Sequence, residues 1–259
     1  MLEWRINLSN MEYVIVSGGN VNHFILSNYL NQNEYKISDK NNDKNNDENN
    51  DINNDGNKIE SNKNINKSFK LIGVDKGIEA LYSLNIKPDL ILGDFDSINN
   101  KIFDEFRNRY NDVEVLRYKP EKDYTDTELA MQVAIKNKAS KITLFGVTGT
   151  RVDHMLASIR TLYLAHREGI FAEIIDEHNK IYLVENMYSL YKKNMYGKYV
   201  SLLPFEKKVE GITLKGFKYE LENAIMQYGS SLGVSNEVIA DEAVIECKKG
   251  ILIVIESRD

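Results

Sequence analysis

Apolar runs and helically spaced apolar residues alternate along the first two thirds of the chain. The runs predict six strands, at 11–17, 69–74, 90–92, 113–116, 141–145 and 171–175. Between them, apolar residues recur every three or four positions, which is typical of helices packed on a sheet. The last of these helices is expected to face the core with Leu156, Ile159 and Tyr163. The pattern predicts an α/β domain with a mostly parallel, doubly wound (Rossmann-like) sheet.

The pattern changes at about residue 180, where helical spacing disappears. Five short strands are predicted, at 181–184, 199–203, 209–214, 244–247 and 251–255. Glycines, a proline and a predicted turn at 248–250 separate them. We therefore expect two domains, an α/β domain over 11–178 and an all-β sandwich domain over 179–259.

One stretch inside the first domain differs from everything around it. Residues 33–68 are dominated by Asn, Asp and Lys and have almost no apolar positions. Such a segment cannot bury enough surface to offset the entropy of ordering. The sequence predicts a disordered insertion there.

Acidic residues follow the carboxyl ends of several predicted strands. Asp75 closes the second strand, Asp94 and Asp96 follow the third, and Asp126 opens the helix before the fifth. Ligands of open α/β sheets bind beyond these strand ends, and Mg²⁺ prefers carboxylate and phosphate oxygens. The pattern predicts a metal and phosphate site at this edge. For single residues, a surface turn or a helix cap explains the acid equally well.

Two loops add further polar groups to the same edge. The first contains Lys122 and Asp123, and the second runs from Thr148 to His154. The pair Gly18-Gly19 after the first strand allows either a close ligand approach or only a tight turn. The phosphate-binding motifs G-x-G-x-x-G and GxxxxGK[ST] do not occur in the sequence.

Composition narrows the class of partners and the compartment. The formal net charge of −6 argues against nucleic acid or an anionic membrane as the main partner. The single cysteine, Cys247, permits no internal disulfide, and no apolar run approaches the length of a membrane-spanning helix. We expect a cytoplasmic protein whose 42% of hydrophobic residues can form substantial cores.

Six motifs in order resemble the thiamine pyrophosphokinase family. They are the Asp75 turn, PDLILGDFDSI, KDYTDTELA, GVTGTRVDH, the strand SLLPF, and GITLKGFKYEL with LGVSNE. The resemblance covers most of the chain outside 33–68. It implies a homodimer with sites at the subunit interface, which transfers the diphosphoryl group of ATP to the hydroxyl of thiamine and releases AMP.

The resemblance also implies a role for each candidate residue. Asp75, Asp94, Asp96 and Asp126 would be the catalytic acids, and the last three would bind Mg²⁺. The candidates for binding ATP phosphates are Lys122, Asp123, Thr148, Gly149, Arg151, Asp153 and His154. Asp75 is a candidate for a metal ligand, a thiamine contact or the acceptor of the hydroxyl proton. Ser235 and Asn236 resemble thiamine-binding residues that reach the site of the other subunit.

The sequence departs from the family pattern at two places, and other functions remain open. Thr150 replaces the second glycine before Arg151, and an aromatic residue to stack on the pyrimidine would have to be Tyr219 or Tyr228. The alternatives are a pyrophosphokinase for a 6-hydroxymethyl pterin, an Asp-x-Asp nucleotide-sugar glycosyltransferase, or a nucleotide sensor without turnover. The LGVSNE block favours thiamine.

Overall fold

The computed structural model describes residues 11–38, 69–119 and 123–259. The first unit has strands β1 (Glu12–Val16), β2 (Phe69–Val74), β3 (Leu90–Gly93), β4 (Glu114–Arg117), β5 (Lys141–Phe145) and β6 (Phe171–Ile175). Its helices are α1 (His23–Ser38), α2 (Gly77–Ser83), α3 (Asn100–Arg109), α4 (Asp126–Lys136) and α5 (Val152–Arg167). The second unit has strands β7 (Asn179–Tyr191), β8 (Tyr199–Pro204), β9 (Lys208–Lys215), β10 (Leu221–Gln227), β11 (Asn236–Glu237) and β12 (Glu242–Ser257).

The first six strands form a parallel sheet in the order β6-β5-β1-β2-β3-β4. Buried residues of α4 and α5, such as Met131 and Leu162, pack on one face of the sheet. Leu26 of α1 packs on the other face, where α2 and α3 also lie. The predicted doubly wound α/β fold is therefore confirmed. Within the described ranges, no helix is long and apolar enough to cross a membrane.

The strand order reverses between β1 and β5, because the chain first builds the sheet outward to β4 and then returns to the other side of β1. A doubly wound sheet leaves a crevice at this switch point, beyond the carboxyl ends of the strands. Here the loop after β1 is hydrogen-bonded to the loop after β5, through Gly19 N to Gly146 O at 2.6 Å and Asn20 N to Thr148 O at 2.8 Å.

The second unit continues the same sheet instead of starting a separate one. β7 pairs antiparallel with β6, and β12 pairs with β7 along most of its length. The other side of β12 splits, because its first half pairs with β9 and its second half with β8. Val200 of β8, Ile212 of β9 and Met226 of β10 are buried in one core. The β-rich second unit that the sequence predicts is therefore present. The strands that pair with the two halves of β12 pack around one shared core.

One predicted detail of the second unit is wrong, and one of its longer strands was missed. Residues 248–250 do not form a turn between two strands, since β12 runs through them with a register shift between Glu246 and Ile251. Gly250, with a φ of 98°, allows this bulge without reversing the chain. The strand β10 was not predicted.

Two helices also differ from expectation. α1 continues to Ser38, past residue 33 where the insertion was expected to begin, and residues 39–68 lie outside the described part of the chain. The buried residues of α5 are Ser158, Leu162 and Ala165, whereas Leu156 and Tyr163 are exposed. This helix carries apolar residues on two faces, and spacing alone does not reveal which face is the core.

Candidate active site

Asp75 lies against the backbone of the neighbouring strand. It follows β2 with a φ of 43°, and its Oδ1 accepts a 3.5 Å hydrogen bond from the backbone N–H of Phe95. A Cβ placed on Gly93 would lie 1.8 Å from this oxygen. Gly93 therefore makes room for the Asp75 carboxyl group at the end of β3.

Asp94 and Asp96 flank a buried aromatic residue in the sequence. Phe95 has a φ of 65°, is 6% exposed, and stacks on Phe103 with ring centroids 5.0 Å apart. The guanidinium carbon of Arg117 lies 5.4 Å from the centre of the Phe95 ring. Since Phe95 points into the core, the acids on either side of it remain at the surface of the sheet edge.

Asp126 is the first residue of α4, and the start of this helix is well defined. Thr125 caps the helix through a 3.2 Å hydrogen bond from the backbone N–H of Glu128 to its hydroxyl. The cap is therefore Thr125, so the Asp126 carboxyl group is not needed for capping. It is hydrogen-bonded to the Asp75 carboxyl group. We call the sheet edge that carries Asp75, Asp94, Asp96 and Asp126 the acidic edge.

The four carboxyl groups influence each other electrostatically. Burial, followed by Asp126 and Asp94, raises the pKa of Asp75 to about 7. A hydrogen bond and the negative charge of Asp94 raise the pKa of the exposed Asp96, with a smaller contribution from Asp126. Mutual repulsion of this kind arises when carboxylates gather without a compensating cation. The sequence-predicted acids therefore do converge.

The acids form two close pairs, Asp75 with Asp126 and Asp94 with Asp96. In the part of the chain that the structure describes, no three acidic, histidine or cysteine side chains already have the geometry of a metal site. The four oxygen-bearing groups are nevertheless the donor set that Mg²⁺ prefers, and a cation between the pairs would relieve the repulsion.

The two loops at the switch point fit together tightly. A Cβ on Gly19 would lie 2.5 Å from the carbonyl oxygen of Thr148 and 2.6 Å from that of Gly146. Gly149 lies beside Asn20, and Thr148 is 9% exposed. Gly19 of the glycine pair after β1 therefore serves close packing of the two loops.

Arg151 and Asp153 form an exposed ion pair at the start of α5. The guanidinium group donates to both carboxylate oxygens, from Nε at 3.2 Å and from Nη2 at 2.6 Å. This interaction lowers the pKa of Asp153 below its ordinary value. A phosphate group that binds Arg151 would therefore have to compete with Asp153. His154 is exposed on the first turn of the same helix.

The first polar loop is described only in part. Asp123 is exposed at the described edge of the loop, whereas Lys122 lies outside the described residues.

A contact that the sequence analysis missed joins the acids to the switch point. The hydroxyl groups of Ser17 and Thr127 are 2.9 Å apart, and Ser17 is only 4% exposed. Thr127 is the neighbour of Asp126, so this hydrogen bond ties the start of α4 to the end of β1. No local pattern reveals such a pairing, because it depends on the sheet order.

The predicted thiamine-binding residues lie in the second unit. Asn236 is 4% exposed, and its side chain accepts from the backbone N–H groups of Tyr219 and Glu237 and donates to the Tyr219 carbonyl. Ser235 is exposed with a φ of 59°, and its backbone N–H donates to the Ser201 hydroxyl. Asn236 thus fixes the backbone of Tyr219, whose side chain is 62% exposed.

Comparison with known proteins assigns this architecture to a family. Residues 61–173 match the family model "Thiamin pyrophosphokinase, catalytic domain", and residues 188–252 match "Thiamin pyrophosphokinase, vitamin B1 binding domain". A thiamine pyrophosphokinase of Bacillus subtilis is 38% identical over 189 residues, which cover 73% of this chain and 87% of that protein. Thiamin pyrophosphokinase 1 of Caenorhabditis elegans is 27% identical over 65% of this chain and 70% of its own.

Solved structures support the same assignment. The crystal structure of thiamine pyrophosphokinase from Bacillus subtilis superposes with a TM-score of 0.76 at 29% identity, covering 96% of this chain and 99% of that one. Yeast thiamin pyrophosphokinase, at 15% identity and a TM-score of 0.69, covers 98% of this chain and 88% of its own and shares the fold.

The fold and the comparisons show that the chain is a transferase of the kinase type. It belongs to the thiamin pyrophosphokinase family. This membership leaves the pterin and glycosyltransferase alternatives without support.

Proposed function

We propose that this protein transfers the diphosphoryl group of ATP to the hydroxyl of thiamine and releases AMP, with Mg²⁺ as the required ion. The observation that carries the proposal is the convergence of Asp75, Asp94, Asp96 and Asp126 at the carboxyl edge of a doubly wound sheet. Phosphoryl-type transfer depends mainly on positioning and on neutralising charge, which is what such an edge can provide.

Asp94, Asp96 and Asp126 would hold the Mg²⁺ ion. The raised pKa of Asp96 fits this role, because a carboxylate that is repelled by neighbouring carboxylates is stabilised most by a bound cation. When bound, the ion supplies positive charge to the polyphosphate and to the oxygen that leaves with AMP. Asp75 is suited to accept the proton of the attacking hydroxyl, because its carboxyl group lies beside those of the proposed metal ligands Asp94 and Asp126.

The nucleotide would lie at the switch point between β1 and β5. The loop that carries Thr148 and Gly149 follows β5 at this switch point, and Arg151 offers a planar fork of donors for phosphate oxygens. The ion pair of Arg151 with Asp153 is exposed, so phosphate can displace the carboxylate at small cost. Lys122 remains a candidate phosphate contact from the sequence.

Thiamine would bind at the Tyr219 segment, which Asn236 fixes. An exposed aromatic ring can stack on the pyrimidine or face the positively charged thiazolium ring. Of the two tyrosines, Tyr219 is better suited, because the hydroxyl of Tyr228 is already bonded to the carbonyl of Phe205 at 2.9 Å. Ser235 is exposed beside Asn236 and could contribute its hydroxyl.

The two halves of the site are distant within one chain, which supports a homodimer. Six strands separate β9, which leads to Tyr219, from β3, which leads to Asp94. At about 4.8 Å per strand, this path exceeds roughly 30 Å along the sheet. A second copy of the chain would bring its thiamine-binding segment to the acidic edge of the first.

The proposal is tested by incubating the pure protein with ATP, Mg²⁺ and thiamine and separating the products by chromatography. We expect AMP and thiamine diphosphate in equal amounts, and neither product with excess chelator. ADP or free phosphate in place of AMP would contradict diphosphoryl transfer.

The variant Asp96→Asn tests the acidic edge in the same assay. We expect kcat to fall by at least about a hundredfold, since a charged metal ligand is lost. Asp104→Asn on α3 removes an equally exposed acid away from the edge and should leave kcat unchanged. Retention of full activity by Asp96→Asn would remove Asp96 from the proposed metal site.

A further inference from the structure

Lys76 lies in the middle of the acidic edge, although no motif singles it out. It follows Asp75 directly and occupies the cap position before α2. A Cβ on Gly77 would lie 2.1 Å from the Val16 carbonyl oxygen, so this segment crosses the end of β1. A Cβ on Gly18 would lie 2.9 Å from the Lys76 Cβ. Lys76 therefore stands directly over the glycine pair at the switch point.

Lys76 has acidic side chains on one side and the loop after β5 on the other. On the side of β3 lie the carboxyl groups of Asp75, Asp94 and Asp96, and on the side of β5 lies the loop that carries Thr148. A group placed between them faces the proposed metal on one side and the proposed nucleotide crevice on the other.

The ammonium group of Lys76 is uncommitted within the described residues. Its side chain is exposed and makes neither a hydrogen bond nor an ion pair there. Two other described cations near this edge have partners, since Arg151 pairs with Asp153 and Arg117 lies over the ring of Phe95. An exposed lysine without a protein partner is available to bind an anionic ligand.

We infer that Lys76 binds the polyphosphate of the nucleotide substrate, as a cation additional to Arg151. The inference rests on the proposed function, in which a nucleoside triphosphate is the donor. A bound divalent ion neutralises only part of the triphosphate charge, and the carboxylates that hold the ion cancel part of its effect. A lysine on a flexible stem supplies a compact charge that can follow the phosphates during transfer.

The test compares Lys76→Met and Lys76→Arg with Lys101→Met. Methionine keeps the stem and removes the charge, and Lys101 is a lysine of α3 whose side chain is 85% exposed. Calorimetric titration with Mg²⁺ measures the affinity of each protein for ATP and, separately, for AMP, without thiamine. Melting curves check that each variant is folded.

We expect Lys76→Met to weaken ATP binding at least tenfold and AMP binding less than twofold, because AMP lacks the phosphates that the lysine would contact. Lys76→Arg should bind ATP within a few fold of the unmodified protein, and Lys101→Met should match it. Unchanged ATP affinity in Lys76→Met, an equal loss for ATP and AMP, or failure of the unmodified protein to bind ATP would overturn the inference.

The failure of this inference is distinguishable from failure of the proposed function. Binding is measured without thiamine, so a protein that binds ATP through Lys76 but does not form thiamine diphosphate would contradict the function alone. A protein that forms thiamine diphosphate while Lys76→Met binds ATP normally would contradict the role of Lys76 alone.

Discussion

Asp75 and Phe95 both adopt left-handed backbone conformations at the acidic edge, with φ values of 43° and 65°. Non-glycine residues rarely hold such angles unless the surrounding structure fixes them, and they cluster at functional sites. Phe95 is fixed by its burial between Phe103 and Arg117, and Asp75 by its contact with Gly93. The edge therefore combines backbone strain with repulsion between carboxylates.

The raised pKa of Asp75 makes a prediction about stability. Below pH of about 4 the carboxyl group is protonated in both the folded and the unfolded chain, so it has no effect. Between about 4 and the folded pKa of about 7, the unfolded chain ionises first, and the folded state loses relative stability as the pH rises. Above that pKa, the loss of folding stability reaches its full value.

We therefore expect Asp75→Asn to be more stable than the unmodified protein at pH 8 in the absence of metal. Asparagine tolerates a positive φ and keeps the oxygen that accepts from Phe95. Its Tm should rise by at least about 2 °C, the shift that roughly one kcal/mol gives in a protein of this size. The difference should vanish near pH 4, and activity should be lost.

Calorimetric melting at the two pH values measures this effect, with Asp104→Asn as the control. If Asp75→Asn melted at the same temperature as the unmodified protein at pH 8, the carboxylates would not be repelling each other as described.

At the residue scale, the sequence indicated which acids belong to the site but not which distant residues contact each other. Asp94 and Asp96 could be located because they follow a buried run of three residues, where a strand has to end. Lys76 and the pair Ser17–Thr127 could not, because their importance comes from the order β5-β1-β2, which places distant segments side by side.

At the scale of elements, one side-chain hydrogen bond joins the start of α4 to the end of β1. The Thr127 hydroxyl lies 2.9 Å from that of the buried Ser17. In Thr127→Val the shape is kept and the Ser17 hydroxyl loses its partner, which should cost about 1–3 kcal/mol in the free energy of unfolding. Because α4 also carries Asp126, kcat should fall as well.

Urea unfolding of four variants, Thr127→Val, Ser17→Ala, their combination and Thr127→Ser, checks this contact. Thr127→Ser retains the hydroxyl and should remain close to the unmodified protein. Combining Ser17→Ala with Thr127→Val removes both partners and should recover much of the lost stability, because no buried group is left unpaired. Strictly additive losses would show that the two hydroxyls do not interact.

Elements were predictable where one local pattern dominates. The six parallel strands were found because each is rich in apolar residues, and the continuous runs at 14–16 and 90–92 are as expected for strands covered on both faces. β12 was misjudged because Lys248, Lys249 and Gly250 resemble a turn, and only pairing with β7 keeps the strand going. The face of α5 was misjudged because Leu156 and Leu162 are equally apolar.

At the scale of the whole molecule, the exposed face of α5 supports the proposed dimer. Val152, Leu156 and Tyr163 are 58%, 53% and 38% exposed and lie on one side of the helix. Tyr163 stacks on Phe205 of the second unit with ring centroids 5.5 Å apart, so the apolar surface continues across both units. Exposed apolar residues grouped on one side of a helix are typical of surfaces that bind another protein.

We expect Leu156→Glu to produce a monomer without thiamine diphosphate synthesis, because a charge would be buried between two copies. Light scattering at micromolar concentration measures the mass, and Asn108→Glu on α3 is a charge-matched control at another exposed position. A monomeric unmodified protein with full activity would contradict the dimer, and a dimeric Leu156→Glu would place the interface elsewhere.

The uninterrupted sheet also limits how the enzyme can open and close. β6 and β7 are joined by backbone hydrogen bonds, and Glu173 of β6 is buried in ion pairs with Lys141 of β5 at 2.6 Å and Lys180 of β7 at 3.4 Å. A hinge between the two units would have to break these bonds and expose the charges. We therefore expect substrates to enter and leave by movement of the edge loops, and the rate of turnover to respond to changes in these loops more than to solvent viscosity.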